Sequence, residues 1–241
     1  MLTTSDLSRI NFLSGSMLKL LAVMAMLLDH TALILGGELH LFTTPWFTLG
    51  GTTVTLYFVM RKIGRLAFPL FCFLITEGFS HTRSQKRYAL QLLLFAFVSE
   101  VPFDLMLSGR MFDFSHQNIF FTLFFGVLLL YALQNVSNEL LKTVAMFTVA
   151  AVATIANIDY GLKGVLLILL LHLLKNRPVS QALLAYPLLS GGIPALCAFV
   201  PINLYNGNRG FIRSKALKYA FYVFYPVHIL VLLIIKWSLR S

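Results

Sequence analysis

Charged residues are scarce in this 241-residue sequence: Asp, Glu, Lys and Arg together make up 12% of it. Soluble domains carry about 25% of these residues. The chain is instead 58% hydrophobic, with a mean hydropathy of +0.81. A soluble fold of this length could not hide so much apolar surface, because most of its residues would still touch water. The composition excludes a cytosolic enzyme and a disordered protein, and it predicts a polytopic membrane protein.

Cysteine and acidic residues are also scarce. Cys72 and Cys197 lie in apolar runs with no histidine or cysteine at ligand spacing, which excludes a disulfide-stapled domain and predicts no metal site. Only 9 Asp and Glu oppose 19 Lys and Arg, a net charge of +10. In an apolar chain this balance is typical of basic residues that flank membrane segments, so we expect no nucleic-acid partner.

Eight charge-poor runs approach the length of a membrane span, which takes about 20 apolar residues at about 1.5 Å each. They cover 17–37, 60–80, 88–108, 118–136, 142–158, 161–175, 182–204 and 218–237. No soluble domain or long linker separates them. The expected fold class is therefore all-α, a polytopic transmembrane helix bundle of about eight to ten membrane segments in a single domain, residues 1–241. Prolines and glycines interrupt run 182–204, where we expect two short half-helices or a re-entrant hairpin.

The basic residues of the short loops predict an orientation. Stretch 31–60 contains no Lys or Arg, so residues 38–58 are expected outside, and Arg9, Lys19 and the basic turn at 81–88 in the cytoplasm. A hairpin at 182–204 returns the basic turn at 203–218 to the cytoplasm as well. The N-terminus is thus predicted to be cytoplasmic.

Two histidines fall deep inside the expected spans. By helix rise, His30 lies about 16 Å from Lys19 and His228 about 15 Å from Lys218, near the middle of a core roughly 30 Å thick. Imidazole titrates near neutral pH and is the usual proton acceptor in catalysis. We interpret His30 as the candidate general base, with Asp29 and His228 as supporting catalytic residues. Because adjacent helix residues point about 100° apart, the expected partner of Asp29 is a histidine on another helix.

Other polar residues are expected in the outer half of the bundle, where an ionisable group costs at least about 2.5–3.5 kcal/mol and usually pairs. Glu100 and Asp104 lie one turn apart on one helix face. Two interpretations stay open: either Arg65 neutralises one of these acids and the set is structural, or the set orients a polar acceptor. As substrate-binding candidates they are Arg65, Glu100, Asp104, Gln117 and Asn118.

The turn 205–210, Tyr-Asn-Gly-Asn-Arg-Gly, combines glycines with positive charge. Glycines let backbone amides approach an anion closely, and Arg209, Arg213 and Lys215 could hold phosphates. The alternative is that these charges only set the orientation of the chain.

Several motifs, spread from about residue 18 to residue 236, together resemble the TraX family. They are Leu28-Asp29-His30, Gly64-Arg65, Glu77-Gly78-Phe79, Ser99-Glu100, Gln117-Asn118, the turn 205–210 and Tyr225-Pro226-Val227-His228. The resemblance implies an integral membrane acetyltransferase that uses cytoplasmic acetyl-CoA. In the member that gives the family its name, the acceptor is the amino terminus of a conjugation pilin.

The resemblance also implies partners and a location. Acetyl-CoA would be the co-substrate, no metal is implied, and the acceptor would be a protein amino terminus, a glycan or a lipid headgroup at the lipid bilayer of the bacterial cytoplasmic (inner) membrane. Related transmembrane acyltransferases often carry Arg and His on the first helix with ten residues between them; here Lys19 and His30 have that spacing, with Lys in place of Arg. The competing hypotheses are a proton-coupled secondary transporter, because buried acids and histidines also form proton relays, and a non-catalytic membrane scaffold.

Overall fold

A computed structural model describes residues 11–241 and is mostly helical; Arg9, used for the orientation, lies outside the described residues. Residues 11–70 and 191–241 form one compact unit, and Phe71–Ser190 form a second.

The first unit is built on two long helices, α1 (Gly15–Leu35) and α12 (Lys215–Arg240). Each begins at a serine whose hydroxyl accepts a hydrogen bond from the first helical turn, which satisfies an amide that would otherwise be unpaired. Helix α1 packs on α12 and on α3 (Leu56–Gly64). One side of each of these helices is buried, whereas other apolar side chains, such as Met24 and Ile234, are exposed.

A short helix and a β-hairpin lie between α1 and α3. Helix α2 (His40–Thr43) is followed by antiparallel strands β1 (Pro45–Leu49) and β2 (Thr52–Thr55). The connecting glycines have φ of 54° and 79°, as a tight hairpin turn requires. The all-α prediction missed this sheet, although a Gly-Gly pair before a run of β-branched residues is a hairpin signal.

The second unit consists of helices and their connections. Helix α6 (Ile119–Asn135) packs on α5 (Gln85–Leu107), α7 (Glu139–Ile155) and α8 (Gly161–Leu173). Helix α4 (Ala67–His81) contributes its first turn to the first unit and the rest to the second.

The broken run 182–204 forms short helices, as its prolines and glycines predict. They are α9 (Pro178–Ala185), a 3₁₀ turn (Tyr186–Leu188), α10 (Ile193–Leu196) and α11 (Phe199–Asn203). Run 60–80 is also divided, between α3 and α4.

Among residues 11–241, three helices are long and apolar enough to cross a membrane: α1, α5 and α12. They coincide with the predicted runs 17–37, 88–108 and 218–237. Ile119–Asn135, Gly161–Leu173 and Ile193–Asn203 are apolar but shorter. The helices fit a membrane protein, while the number of eight to ten membrane segments stays a prediction.

Candidate functional site

The two deep histidines contact each other. Nδ1 of His30 on α1 lies 2.7 Å from Nε2 of His228 on α12. The rings are parallel within 3° and their centroids are 5.0 Å apart. The centroid separation is close to the sum of the N–N distance and the two ring radii. The imidazoles therefore lie edge to edge in one plane, as a strong N–H···N hydrogen bond requires. The sequence predicted the same depth in the membrane for these two residues, and in the structure they are in contact.

Neighbouring side chains hold the pair in position. Nδ1 of His228 lies 2.7 Å from the carbonyl oxygen of Phe224, one helical turn earlier. The Phe224 ring stacks on His228, and Tyr225 presents an edge to both imidazoles. His228 is 5% exposed, so its ring is packed inside the first unit.

Asp29 pairs with an arginine and not with a histidine, so the expected partner was wrong. Nη1 of Arg61, on α3, lies 2.6 Å from Oδ2 of Asp29. A Cβ at Gly64 would collide with the Asp29 side chain, so the close approach of the two helices depends on that glycine. The adjacency of Asp29 and His30 suggested a shared role, but neighbouring side chains diverge on a helix and Asp29 faces α3.

Arg65 lies near the same carboxylate. The charges of both Arg61 and Arg65 act on Asp29. The side chain of Arg65 also packs against Gly191, where an added Cβ would come within 2.8 Å of the arginine Cβ. The sequence analysis assigned a role to Arg65 and none to Arg61, although the two residues are one helical turn apart in the sequence.

The basic turn is fixed to the start of α1. Backbone hydrogen bonds of 2.8–3.0 Å join residues 13–16 to residues 204–209. Ser16 donates its hydroxyl proton to the carbonyl of Arg209 and accepts from the amide of Ile212, at 2.8 and 2.9 Å. Gly210 has a φ of 84°, and a Cβ there would approach the hydroxyls of Ser14 and Ser16. The turn is therefore held in one conformation.

This attachment gathers positive charge at one end of the first unit. The charges of Arg209 and Lys218 act on Lys19, whose ammonium lies 5.4 Å from the centre of the Phe221 ring. Lys218 was used only as a depth reference, yet its place in the first turn of α12 puts it beside the basic turn. We call Lys19, Arg209 and Lys218 the basic cluster.

The two other predicted phosphate-binding residues lie next to this turn. Nε of Arg213 donates to the carbonyl of Gly210 at 3.2 Å. Lys215 is the first residue of α12 and is exposed.

In the second unit, the two predicted acidic residues accept hydrogen bonds from amide groups. Asn118, the N-cap of α6, donates its side-chain amide to Oε2 of Glu100 and, at 2.7 Å, to the carbonyl of Ala96. Oδ2 of Asp104 accepts from the amide of Asp113 at 2.9 Å. Among the described residues, Oε1 of Glu100 and Oδ1 of Asp104 are buried without a hydrogen-bond partner.

Gln117 has a local structural role. Its backbone pairs with Asn157 and Asp159, at 3.0 and 2.8 Å, and its side chain bonds the carbonyl of Phe114. In the same connection, hydrogen bonds from Ser115 lower the pKa of Asp113, which thus stays ionised.

Clusters of metal-ligating side chains are absent from the described residues. Within residues 11–241, no group of three or more His, Cys, Asp or Glu side chains is placed to hold a metal ion.

The chain is similar to known proteins over nearly its whole length. The family model described as TraX protein matches residues 14–236. The probable fimbrial assembly protein FimC, serogroup H1, of Dichelobacter nodosus is 30% identical over 257 aligned positions, which cover 94% of this chain and 97% of that protein. No solved structure matches the chain.

Proposed function

The chain belongs to the TraX family, and from that membership we propose that it is a membrane-embedded acetyltransferase. It moves the acetyl group of acetyl-CoA to an amine or hydroxyl acceptor at the membrane. The observation that carries the proposal is the hydrogen-bonded pair of His30 and His228 on two apolar helices. Placing an imidazole inside such a helix costs free energy. A role as the base that removes a proton from the acceptor accounts for that cost.

The reaction needs one base and no oxidant or metal. His30 removes a proton from the neutral amine or hydroxyl, and the acceptor attacks the thioester carbonyl carbon. The tetrahedral intermediate collapses by breaking the C–S bond, and the CoA thiolate leaves with the electron pair. The proton held by His30 returns to the thiolate, so the products are the acetylated acceptor and CoA.

The basic cluster is the proposed site for the phosphates of CoA, with Arg213 and Lys215 beside it. Its Lys19 lies on the same helix, α1, as His30, about 16 Å away along the helix by its rise. An extended pantetheine arm has a comparable length, so a thioester could reach the histidine pair while the phosphates stay at the cluster. Arginine and lysine are suited to this task because they neutralise phosphate charge.

The remaining polar residues are proposed as acceptor-binding candidates, each within its own unit: Arg65 in the first, and Glu100, Asp104, Gln117 and Asn118 in the second. Both acids carry a buried oxygen without a partner among the described residues, which is suited to an amine or hydroxyl donor. The relative is named for fimbrial assembly, so the first acceptor to test is a peptide with a pilin-type amino terminus. A glycan and an aminophospholipid are the alternatives.

We place the protein in the bacterial cytoplasmic membrane as a multi-pass protein with a cytoplasmic N-terminus. Three apolar helices support the membrane location, and the distribution of Lys and Arg supports the orientation. The basic cluster then faces the compartment that contains acetyl-CoA.

The test is acetyl transfer by the purified full-length protein in lipid nanodiscs. Labelled acetyl-CoA is mixed with each of the three acceptor classes, and free CoA and acetylated product are measured. We expect turnover by wild type, a loss of about 10²-fold or more for His30→Ala, and no loss for His116→Ala, an exposed histidine that serves as the matched control.

Two results would contradict the proposal. No turnover with any acceptor, together with no binding of CoA, would exclude an acetyltransferase. If His30→Ala lowered only the amount of folded protein and left the specific activity unchanged, the histidine pair would be structural.

A further inference from the structure

We infer that His228 is a positioning residue that fixes the tautomer of His30 and leaves Nε2 of His30 as the basic atom. This inference rests on the proposed function for its catalytic meaning, while the tautomer itself is a property of the resting protein. It follows from the direction of two hydrogen bonds.

The first bond is unambiguous, because a carbonyl oxygen can only accept. The contact of 2.7 Å between Nδ1 of His228 and the carbonyl of Phe224 therefore requires a proton on Nδ1. A neutral imidazole carries one N–H, so Nε2 of His228 is left with a lone pair and is an acceptor.

The second bond is then determined as well. Nε2 of His228 faces Nδ1 of His30 at 2.7 Å, and an acceptor requires a donor opposite it. Nδ1 of His30 thus carries the proton, and Nε2 of His30 carries the free lone pair. The nearly coplanar rings keep the N–H directed at its acceptor.

The alternative protonation state gives a different outcome. If His228 were an imidazolium, its Nε2 would donate, Nδ1 of His30 would accept, and the proton of His30 would occupy Nε2. His30 could not then act as a base through that atom. His228 is buried, and a positive charge inside these apolar helices is costly, so the neutral arrangement is the resting state.

The same arrangement stabilises the proton once it is taken up. When Nε2 of His30 accepts a proton from the acceptor, the pair holds one positive charge, and the Nδ1 proton stays in its bond to His228. The face of Phe224 lies parallel to the His228 ring with centroids 4.7 Å apart, which holds that ring in position to accept the Nδ1 proton of His30. The proton is thus stored until the CoA thiolate takes it back.

Nitrogen-15 NMR of the full-length protein in detergent tests the assignment directly. Histidine is labelled selectively, and long-range nitrogen–proton correlations distinguish an Nδ1–H from an Nε2–H tautomer; the spectrum of His30→Gln identifies the His30 signals. We expect His30 as the Nδ1–H tautomer in wild type. An Nε2–H tautomer in wild type would overturn the inference.

Two variants test whether His228 causes this state. His228→Leu removes the acceptor, and we expect the Nε2–H form of His30 to become substantial and kcat to fall at least about tenfold, part of the roughly 10²–10⁴-fold that a positioned base contributes. The KM for acetyl-CoA should not change. His228→Gln places an amide oxygen near the position of Nε2 and should restore both the tautomer and most of the activity.

The outcomes separate this inference from the proposed function. If His228→Leu is folded and the His30 tautomer is unchanged, His228 is merely structural and the inference fails. If wild type has the Nδ1–H tautomer and both variants behave as expected in the NMR spectra, but no acceptor is acetylated, the positioning role stands and the acetyltransferase proposal fails.

Discussion

At the scale of single residues, the position of Asp29 depends on what faces it from α3. Arg61 supplies the opposite charge at 2.6 Å, and Gly64, one turn further along α3, leaves room for the carboxylate. A charged side chain in an apolar helix is tolerated when it is paired in this way.

Replacing that glycine should displace the carboxylate. In Gly64→Ala, the new methyl group overlaps the Asp29 side chain, and we expect a loss of about 1–3 kcal/mol in the free energy of unfolding, the usual cost of overpacking. Gly37→Ala is the control, because a Cβ at Gly37 meets nothing within 4 Å. Thermal unfolding in detergent measures both variants. Equal stability of the two would show that α1 and α3 do not meet closely at Asp29.

The histidine pair was more predictable from sequence than the partner of Asp29. Counting helix rise gives a depth, and two histidines at one depth on apolar helices are expected to meet inside the bundle. The partner of Asp29 was missed because depth says nothing about which helix lies beside which. Only packing shows that α1 turns Asp29 toward α3 and His30 toward α12.

At the scale of elements, the basic turn owes its position to backbone pairing with the start of α1. This pairing brings Arg209 to Lys19, although 190 residues separate them in the chain. A turn attached in this way can keep a phosphate site in one geometry without a ligand.

Gly210→Ala should loosen this attachment. The alanine must adopt a φ of 84°, and its methyl group approaches the hydroxyls of Ser14 and Ser16. We expect CoA to bind at least about tenfold more weakly, equivalent to about 1.4 kcal/mol, with a smaller effect on kcat.

The control for this variant is Gly207→Ala. Gly207 also has a positive φ, of 78°, but a Cβ there meets nothing within 4 Å, so it carries the backbone strain without the collision. Titration calorimetry with CoA compares the two proteins. Equal weakening in both would show that the attachment to α1 is irrelevant to CoA binding.

A second attachment joins the turn after α1 to the end of α12. Arg240 hydrogen-bonds Oε1 of Glu38 at 2.5 Å, and Lys236 lies 3.9 Å from the same atom. The bond to Arg240 lowers the pKa of Glu38 below its ordinary value of 4.5. The ionised carboxylate therefore stabilises the fold at pH values above 4.5, and this stabilisation is lost as the pH falls through the lower pKa of the folded protein.

Comparing wild type with Glu38→Gln isolates this contribution. We expect the variant to melt at a lower temperature at pH 7, and the difference in Tm to shrink as the pH is lowered below 4.5 and the wild-type carboxylate takes up its proton. Thermal unfolding across this pH range is the measurement. A difference in Tm that does not change with pH would mean that the ion pair does not stabilise the protein.

The elements themselves were predictable to different degrees. Apolar runs gave α1, α5 and α12 to within a few residues, because an uninterrupted run of that length has few alternatives to a helix. The run 60–80 was predicted as one stretch, although its Gly64 and Pro69 favour a break, and the structure divides it at Arg65. The strands that begin at Pro45 were overlooked because composition had already indicated helices throughout. Local turn chemistry decides such details, and hydropathy does not record it.

At the scale of the whole molecule, the scarce charge has two uses. Most Lys and Arg lie at helix ends and in turns, whereas Asp29, Glu100 and Asp104 lie within helices long and apolar enough to span a membrane. Hydropathy alone could predict neither the pairing of these acids nor the number of membrane segments, because the shorter helices fall below the length of a full span.

The orientation of the molecule can be tested with cysteine labelling, because the chain has only two thiols to control. Cys72 is buried, and Cys197 is exposed and would be replaced in a Cys197→Ser background. Gly50→Cys places a thiol at the tip of the hairpin, in the stretch that lacks Lys and Arg, while Gly207→Cys places one in the basic turn. Because positive loops stay in the cytoplasm, an impermeant maleimide should label position 50 in intact cells and position 207 only after the membrane is opened. Labelling of position 207 in intact cells would put the basic cluster on the side away from acetyl-CoA, and the assignment of that cluster to CoA would then be wrong even if the histidine pair is catalytic.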